Sequence, residues 1–113
     1  MVDKSIFEMI LDKEIDSEIL YEDEEIFSIA DINPVAKVHL LIIPKKRINT
    51  INDLEETDID LTGKMVLVAK HLAKEYGIDE SGYRLIWNTN EDGGQTIFHI
   101  HLHLIGGEKL KGF

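Results

Sequence analysis

The chain has 113 residues, 43% hydrophobic and 30% charged, with a net charge of −10. That length suits one domain over 1–113, and the absence of cysteine excludes disulfides and a thiolate nucleophile. Residues 1–60 hold sixteen acidic and six basic side chains and residues 61–113 six of each, a balance that argues against a nucleic-acid polymer or an anionic membrane as partner but not against a small nucleotide.

Met1 to Lys4 shows no basic-then-apolar leader, and the longest apolar run, Val38 to Ile43 interrupted by His39, is too short to span a membrane. A cytoplasmic location is the expectation. Ser5 to Leu11 reads as a short helix, with Ser5 as N-cap and Glu8 completing a capping box. Its apolar face is Ile6, Phe7 and Ile10. Glu18 to Tyr21 and Ile26 to Ala30 read as strands joined by an acidic turn, Glu22 to Glu25. Asn33-Pro34 closes the second strand, leaving Asp31 at its end. Val35 to Ile43 is apolar on both faces, as in a central strand, and carries His39. Pro44 stops it, and Lys45-Lys46-Arg47 reads as a solvated basic loop.

A long helix is expected from the acidic turn at Glu55 to about Tyr76, with Asn52 or Asp53 as N-cap and Gly77 as its stop. Leu61, Met65, Val68, Leu72 and Tyr76 give it one apolar face, off which His71 falls. Tyr83 to Trp87 is a strand, with Asn88 at its junction with the next loop. Two helices and five strands describe an α+β domain, with the helices largely to one side of the sheet. The uncovered surface is then available to another subunit.

The stretch from Gln95 to Gly107 stands apart. Phe98, Ile100, Leu102 and Leu104 alternate with His99, His101 and His103, the period of a half-buried strand with three imidazoles on one face. Strand propensity does not call for histidine. The outer pair lies about 13 Å apart at ~3.3 Å per residue, so the three cannot close on one zinc ion. A metal would need two of them with His39 or a carboxylate. Zinc is therefore possible but not expected to be catalytic, and no metal ligand is assigned. Acid–base and nucleophilic chemistry is the better match, because neighbouring imidazoles can hold different protonation states near neutrality.

His99-Ile100-His101-Leu102-His103-Leu104-Ile105 resembles the His-x-His-x-His-x-x motif of the histidine triad superfamily. Asp92-Gly93-Gly94-Gln95-Thr96, Gly106-Gly107, Ser5-Ile6-Phe7, Asp31-Ile32 and His39 to Lys45 resemble its Hint branch, the purine nucleoside phosphoramidate hydrolases. The resemblance covers nearly the whole chain. It implies a five-stranded antiparallel sheet with two helices, and a homodimer whose sheets join into one of ten strands. It implies cleavage of the P–N bond of a purine nucleoside 5′-phosphoramidate, of the adenosine 5′-monophosphoramidate type, through a nucleotidyl-histidine, with no cofactor required. By this resemblance His101 is the nucleophile, His99 and His103 orient it and help bind phosphate, and His39 completes the relay. Asn88, Gln95 and Thr96 hold the phosphate and leaving group, and Asp31 takes the ribose diol. Ile6, Phe7, Ile10, Ile29 and Ile32 wall the purine, an AMP- or GMP-like group. Thr96 stands where the branch commonly has Ser, and the tail ending Lys111-Gly112-Phe113 is short. The alternatives are a dinucleoside polyphosphate hydrolase of the Fhit type, against which Gly106-Gly107 argues, a nucleotide-binding regulatory protein with little turnover, and a zinc-binding regulator.

Overall fold

The computed structural model describes residues 3–112. Met1, Val2 and Phe113, from the stretch read for a leader and from the short tail, lie outside the described residues. In chain order the elements are α1 (Ile6–Leu11), β1 (Tyr21–Glu22), β2 (Ile26–Ala30), β3 (Val38–Pro44), α2 (Ile59–Glu75), β4 (Tyr83–Ile86) and β5 (Leu102–Gly106). The strands form one antiparallel sheet in the order β1-β2-β3-β5-β4. β3 is central because its apolar residues occupy both faces. The β1–β2 turn is closed by Asp23, whose Oδ1 accepts the N–H groups of Glu25 and Ile26 at 2.8 Å each.

The two helices lie on opposite faces, not largely on one. Ile26, Leu40, Ile42, Leu102 and Leu104 meet the apolar stripe of α2, centred on Met65, Ala69 and Leu72. Phe27, Ile29, Leu41 and Ile43 point the other way, onto Phe7 and Ile10 of α1. A central strand with apolar residues on both sides needs cover on both sides. α1 has only six residues, so it covers part of its face and leaves the rest as a cavity.

α2 starts at Ile59, later than the expected first turn at Glu55. The acidic side chains fold backward onto two short turns first: Asp53 Oδ2 accepts the Thr50 N–H at 3.1 Å, and Asp58 Oδ2 accepts the Glu55 N–H at 2.9 Å. The helix ends as expected. Gly77 has φ +71°, its N–H reaches the Lys74 carbonyl at 3.0 Å, and the Ile78 N–H reaches Ala73 at 2.9 Å, which together form a Schellman cap.

β5 is shorter than the alternating stretch foretold. Pairing covers Leu102–Gly106, and the chain at His99 to His101 has left the ladder. There the Ile100 N–H donates to the Ile48 carbonyl at 2.7 Å. β3 likewise begins at Val38 and not at Val35, because the Val35 N–H is given to His39 Nδ1. No helix among the described residues is long and apolar enough to cross a membrane.

Candidate active site

Backbone carbonyls and one backbone N–H set the proton positions of the histidines. The Pro44 carbonyl can only accept, so His99 Nε2 at 2.7 Å is its donor. His99 Nδ1 then carries a lone pair, and the Ser5 hydroxyl donates to it at 2.7 Å. Ser5 Oγ also accepts the Glu8 N–H at 3.1 Å, the capping bond of α1. The His99 carbonyl in turn accepts from His101 Nδ1 at 2.8 Å. His101 Nε2 is therefore unprotonated, and its ring lies on the cavity. The Phe7 ring packs edge-on against both imidazoles, at centroid distances of 5.5 and 5.1 Å.

A second chain of bonds places His103. The Val35 N–H donates to His39 Nδ1 at 3.2 Å, so His39 carries its proton on Nε2. That proton is directed to His103 Nδ1 at 2.9 Å, with Asp31 Oδ2 3.4 Å from the same nitrogen. His103 is left with its proton on Nε2, the nitrogen that can serve a bound group. The rings of His101 and His103 are 4.9 Å apart. One presents a lone pair and the other an N–H.

Burial pushes all four imidazoles down from the ordinary histidine value, because removing the ring from water penalises its charged form. His103 is pushed down to about 4 by burial and by its neighbours His101 and His39. Against this, the Asp31 carboxylate pulls His39 and His101 upward, and the Pro44 carbonyl does so for His99.

The cavity beside these rings has a volume of about 320 Å³. His101, His103, Asn88, Thr96 and Asp31 line it, as do all five residues expected to wall a base: Ile6, Phe7, Ile10, Ile29 and Ile32. Ile32 is 88% exposed and stands at the mouth. Asp31 Oδ1 accepts the Asn33 N–H at 2.8 Å, and the carboxylate keeps further lone pairs for a diol. His99 and His39 sit behind the lining, as supports.

Gln95 departs from its expected role on phosphate. Its side chain is buried and fully used by the backbone: Nε2 donates to the carbonyls of Asn49 at 2.7 Å and Ile97 at 3.0 Å, and Oε1 accepts the Asn90 N–H at 2.9 Å. It latches the 88–97 loop instead. Gly93 in that loop has no room for a side chain, since a Cβ there would stand 2.5 Å from the Thr89 carbonyl oxygen.

The basic loop is also not simply solvated. Lys45 pairs with Glu22, Lys46 with Asp58 and Arg47 with Glu8. Arg47 further bonds the carbonyls of Phe98 and Asp3, at 2.8 and 3.1 Å, and so ties α1 to the triad segment. Sequence reasoning read Ser5 only as a cap and gave no role to Ile15, Asp16 or Ser17, which line the cavity. Ser5 and His99 are 94 positions apart, so no local pattern could join them.

Asp31, His39 and His103 could hold a cation, one ligand atom of each lying within 4.8 Å of the others. In the arrangement seen, His39 and His103 share a hydrogen bond at that point, and a cation would have to displace its proton.

The sequence and the fold are similar to those of known proteins. The chain is 46% identical over 110 residues to a purine nucleoside phosphoramidase from Escherichia coli (strain K12), covering 97% of this chain and 92% of that one. The fold matches the crystal structure of a HIT family hydrolase from Legionella pneumophila Philadelphia 1 with a TM-score of 0.92, at 45% identity over 96% of each chain. It also matches a histidine triad protein from Clostridium difficile with a TM-score of 0.93, at 37% identity over 100% of this chain and 99% of the other. The HIT domain model matches residues 12–110, from just after α1 through the triad and beyond β5, and the chain belongs to the HIT domain family.

Proposed function

We propose that this protein hydrolyses the P–N bond of purine nucleoside 5′-phosphoramidates, with His101 as nucleophile. The observation that carries this reading is the His99 carbonyl 2.8 Å from His101 Nδ1, which leaves Nε2 bare beside a cavity. His101 Nε2 attacks the phosphorus, and a P–N bond to the ring forms. The bond to the leaving nitrogen breaks, and that nitrogen keeps the electron pair and takes a proton from solvent to become the free amine. Water then attacks the phosphorus, the bond to Nε2 breaks, and the nucleoside monophosphate leaves with one proton released. Splitting the displacement in two lowers each barrier.

His103 Nε2–H donates to a phosphoryl oxygen in this scheme, and the Asn88 amide and Thr96 hydroxyl supply further polar contacts. Neither of the last two has a side-chain hydrogen bond among the described residues. Asp31 accepts from the ribose hydroxyls. The chemistry needs no metal, because the anchored imidazoles supply nucleophile and donor. The protein acts as a cytoplasmic homodimer in this reading.

The test is turnover of a fluorogenic adenosine 5′-phosphoramidate with chelator present. The wild type turns over, and His101→Ala loses about 10³-fold or more in kcat. A folded wild type that binds AMP with little turnover would move the reading to a nucleotide-binding protein.

A further inference from the structure

α1 starts beside the triad and borders the cavity with Ile6, Phe7 and Ile10. Its N-terminal end is at His99, where Ser5 Oγ lies 2.7 Å from Nδ1. Its six residues advance roughly 9 Å at ~1.5 Å each. Past that end the N–H groups of Glu14 and Ile15 fold back onto the Met9 carbonyl, at 2.9 and 3.3 Å. This turn brings Ile15, Asp16 and Ser17 onto the cavity. The cavity therefore carries two carboxylates: Asp31, beside His39, and Asp16, on the turn that follows α1. Among the described residues Asp16 has no hydrogen-bond or ion-pair partner for its side chain.

We propose that Asp16 makes the base site select guanine over adenine. This rests on the reading of the cavity as a purine nucleotide site. With phosphate at His101 and ribose at Asp31, the base is directed along α1 between Phe7, Ile10 and Ile29, and its outer edge meets Asp16. Those apolar walls grip any purine alike. A carboxylate accepts hydrogen bonds and donates none. Guanine presents two adjacent donors, N1–H and the N2 amino group, which match its two oxygens. Adenine presents one amino donor beside N1, a lone pair that opposes the carboxylate. The apolar walls have no donors or acceptors with which to tell these two edges apart.

The experiment compares kcat/KM for guanosine and adenosine 5′-phosphoramidates carrying the same leaving amine, in wild type, Asp16→Ala and Asp16→Asn. The wild type favours guanosine by about tenfold, the value of one charge-assisted bond. Asp16→Ala brings the ratio near one. Asp16→Asn, whose amide sets a donor beside an acceptor, tips it toward adenosine. Asp16 is exposed, so both variants keep the wild-type thermal midpoint. A wild-type ratio at or below one, or a guanosine preference unmoved in Asp16→Ala, overturns the selection while hydrolysis of both substrates leaves the enzyme reading standing. Turnover of neither substrate by the wild type overturns both.

Discussion

His103 sits near pKa 4 because its ring is buried beside two other imidazoles, and His39, His99 and His101 are displaced the same way. An unfolded histidine takes its proton near pH 6.5. Between that pH and about 4 the unfolded chain binds more protons than the folded one. Stability therefore falls as pH falls through this window, and above 6.5 these groups add no pH dependence. Urea midpoints measured from pH 8 to pH 4 are expected to hold down to about 6.5 and then decline. The kcat/KM profile has its acid limb below 6.5 for the same reason, since the nucleophile stays neutral there. An acid limb centred on 6.5 would show histidines titrating as if in water, and would count against the buried relay. That the histidines cluster in one segment alternating with apolar residues was legible in the sequence. How Gln95 spends its amide was not, because its partners, the carbonyls of Asn49 and Ile97 and the Asn90 N–H, are brought together only by the loop's folding.

At the scale of elements, α1 and the triad segment are one mechanical unit. The Ser5 hydroxyl accepts the capping N–H of Glu8 and donates to His99, and Arg47 ties Glu8 to the Phe98 carbonyl. Removing the hydroxyl costs about 1 kcal/mol for the cap, and about 1–3 kcal/mol more for the buried His99 acceptor left unpaired. Ser5→Ala is expected to lower the urea midpoint accordingly. It also lowers kcat, because His99 supplies the carbonyl that holds His101, and it moves the ring-nitrogen resonances of His99. Ser5→Thr restores all three. A Ser5→Ala variant with lower stability but native kcat and His99 resonances would reduce Ser5 to a cap. The capping box itself was readable from Ser5 and Glu8. The late start of α2 was not, because Asp53 and Asp58 can cap backward or forward with equal chemistry, and packing makes the choice.

For the whole molecule, the placement of the helices alters the argument for a dimer. Both faces of the sheet are at least partly covered, so another subunit is not needed to cover one. The sheet's edges remain. β1 is a two-residue edge strand followed by the acidic run Asp23 to Glu25, a poor template for pairing, whereas β4 is a four-residue, half-buried edge strand. The proposed homodimer pairs through β4 and gives one continuous ten-stranded sheet. Light scattering on the purified protein is expected to give twice the chain mass of 12.9 kDa, and a single-chain mass at assay concentration would remove the dimer from the proposal.

The order of the elements, the central position of β3, the cap of α1, the stop of α2 and the run of alternating histidines were all determined by the sequence, because each depends on the residue types within a short stretch. The tautomers, the Ser5–His99 bond, the Arg47 clasp, the helices on opposite faces and the nearness of Asp16 to the cavity were decided only by the tertiary structure. Each joins residues far apart in the chain, and a hydrogen bond or a shared wall depends on distance in space, which local periodicity does not encode.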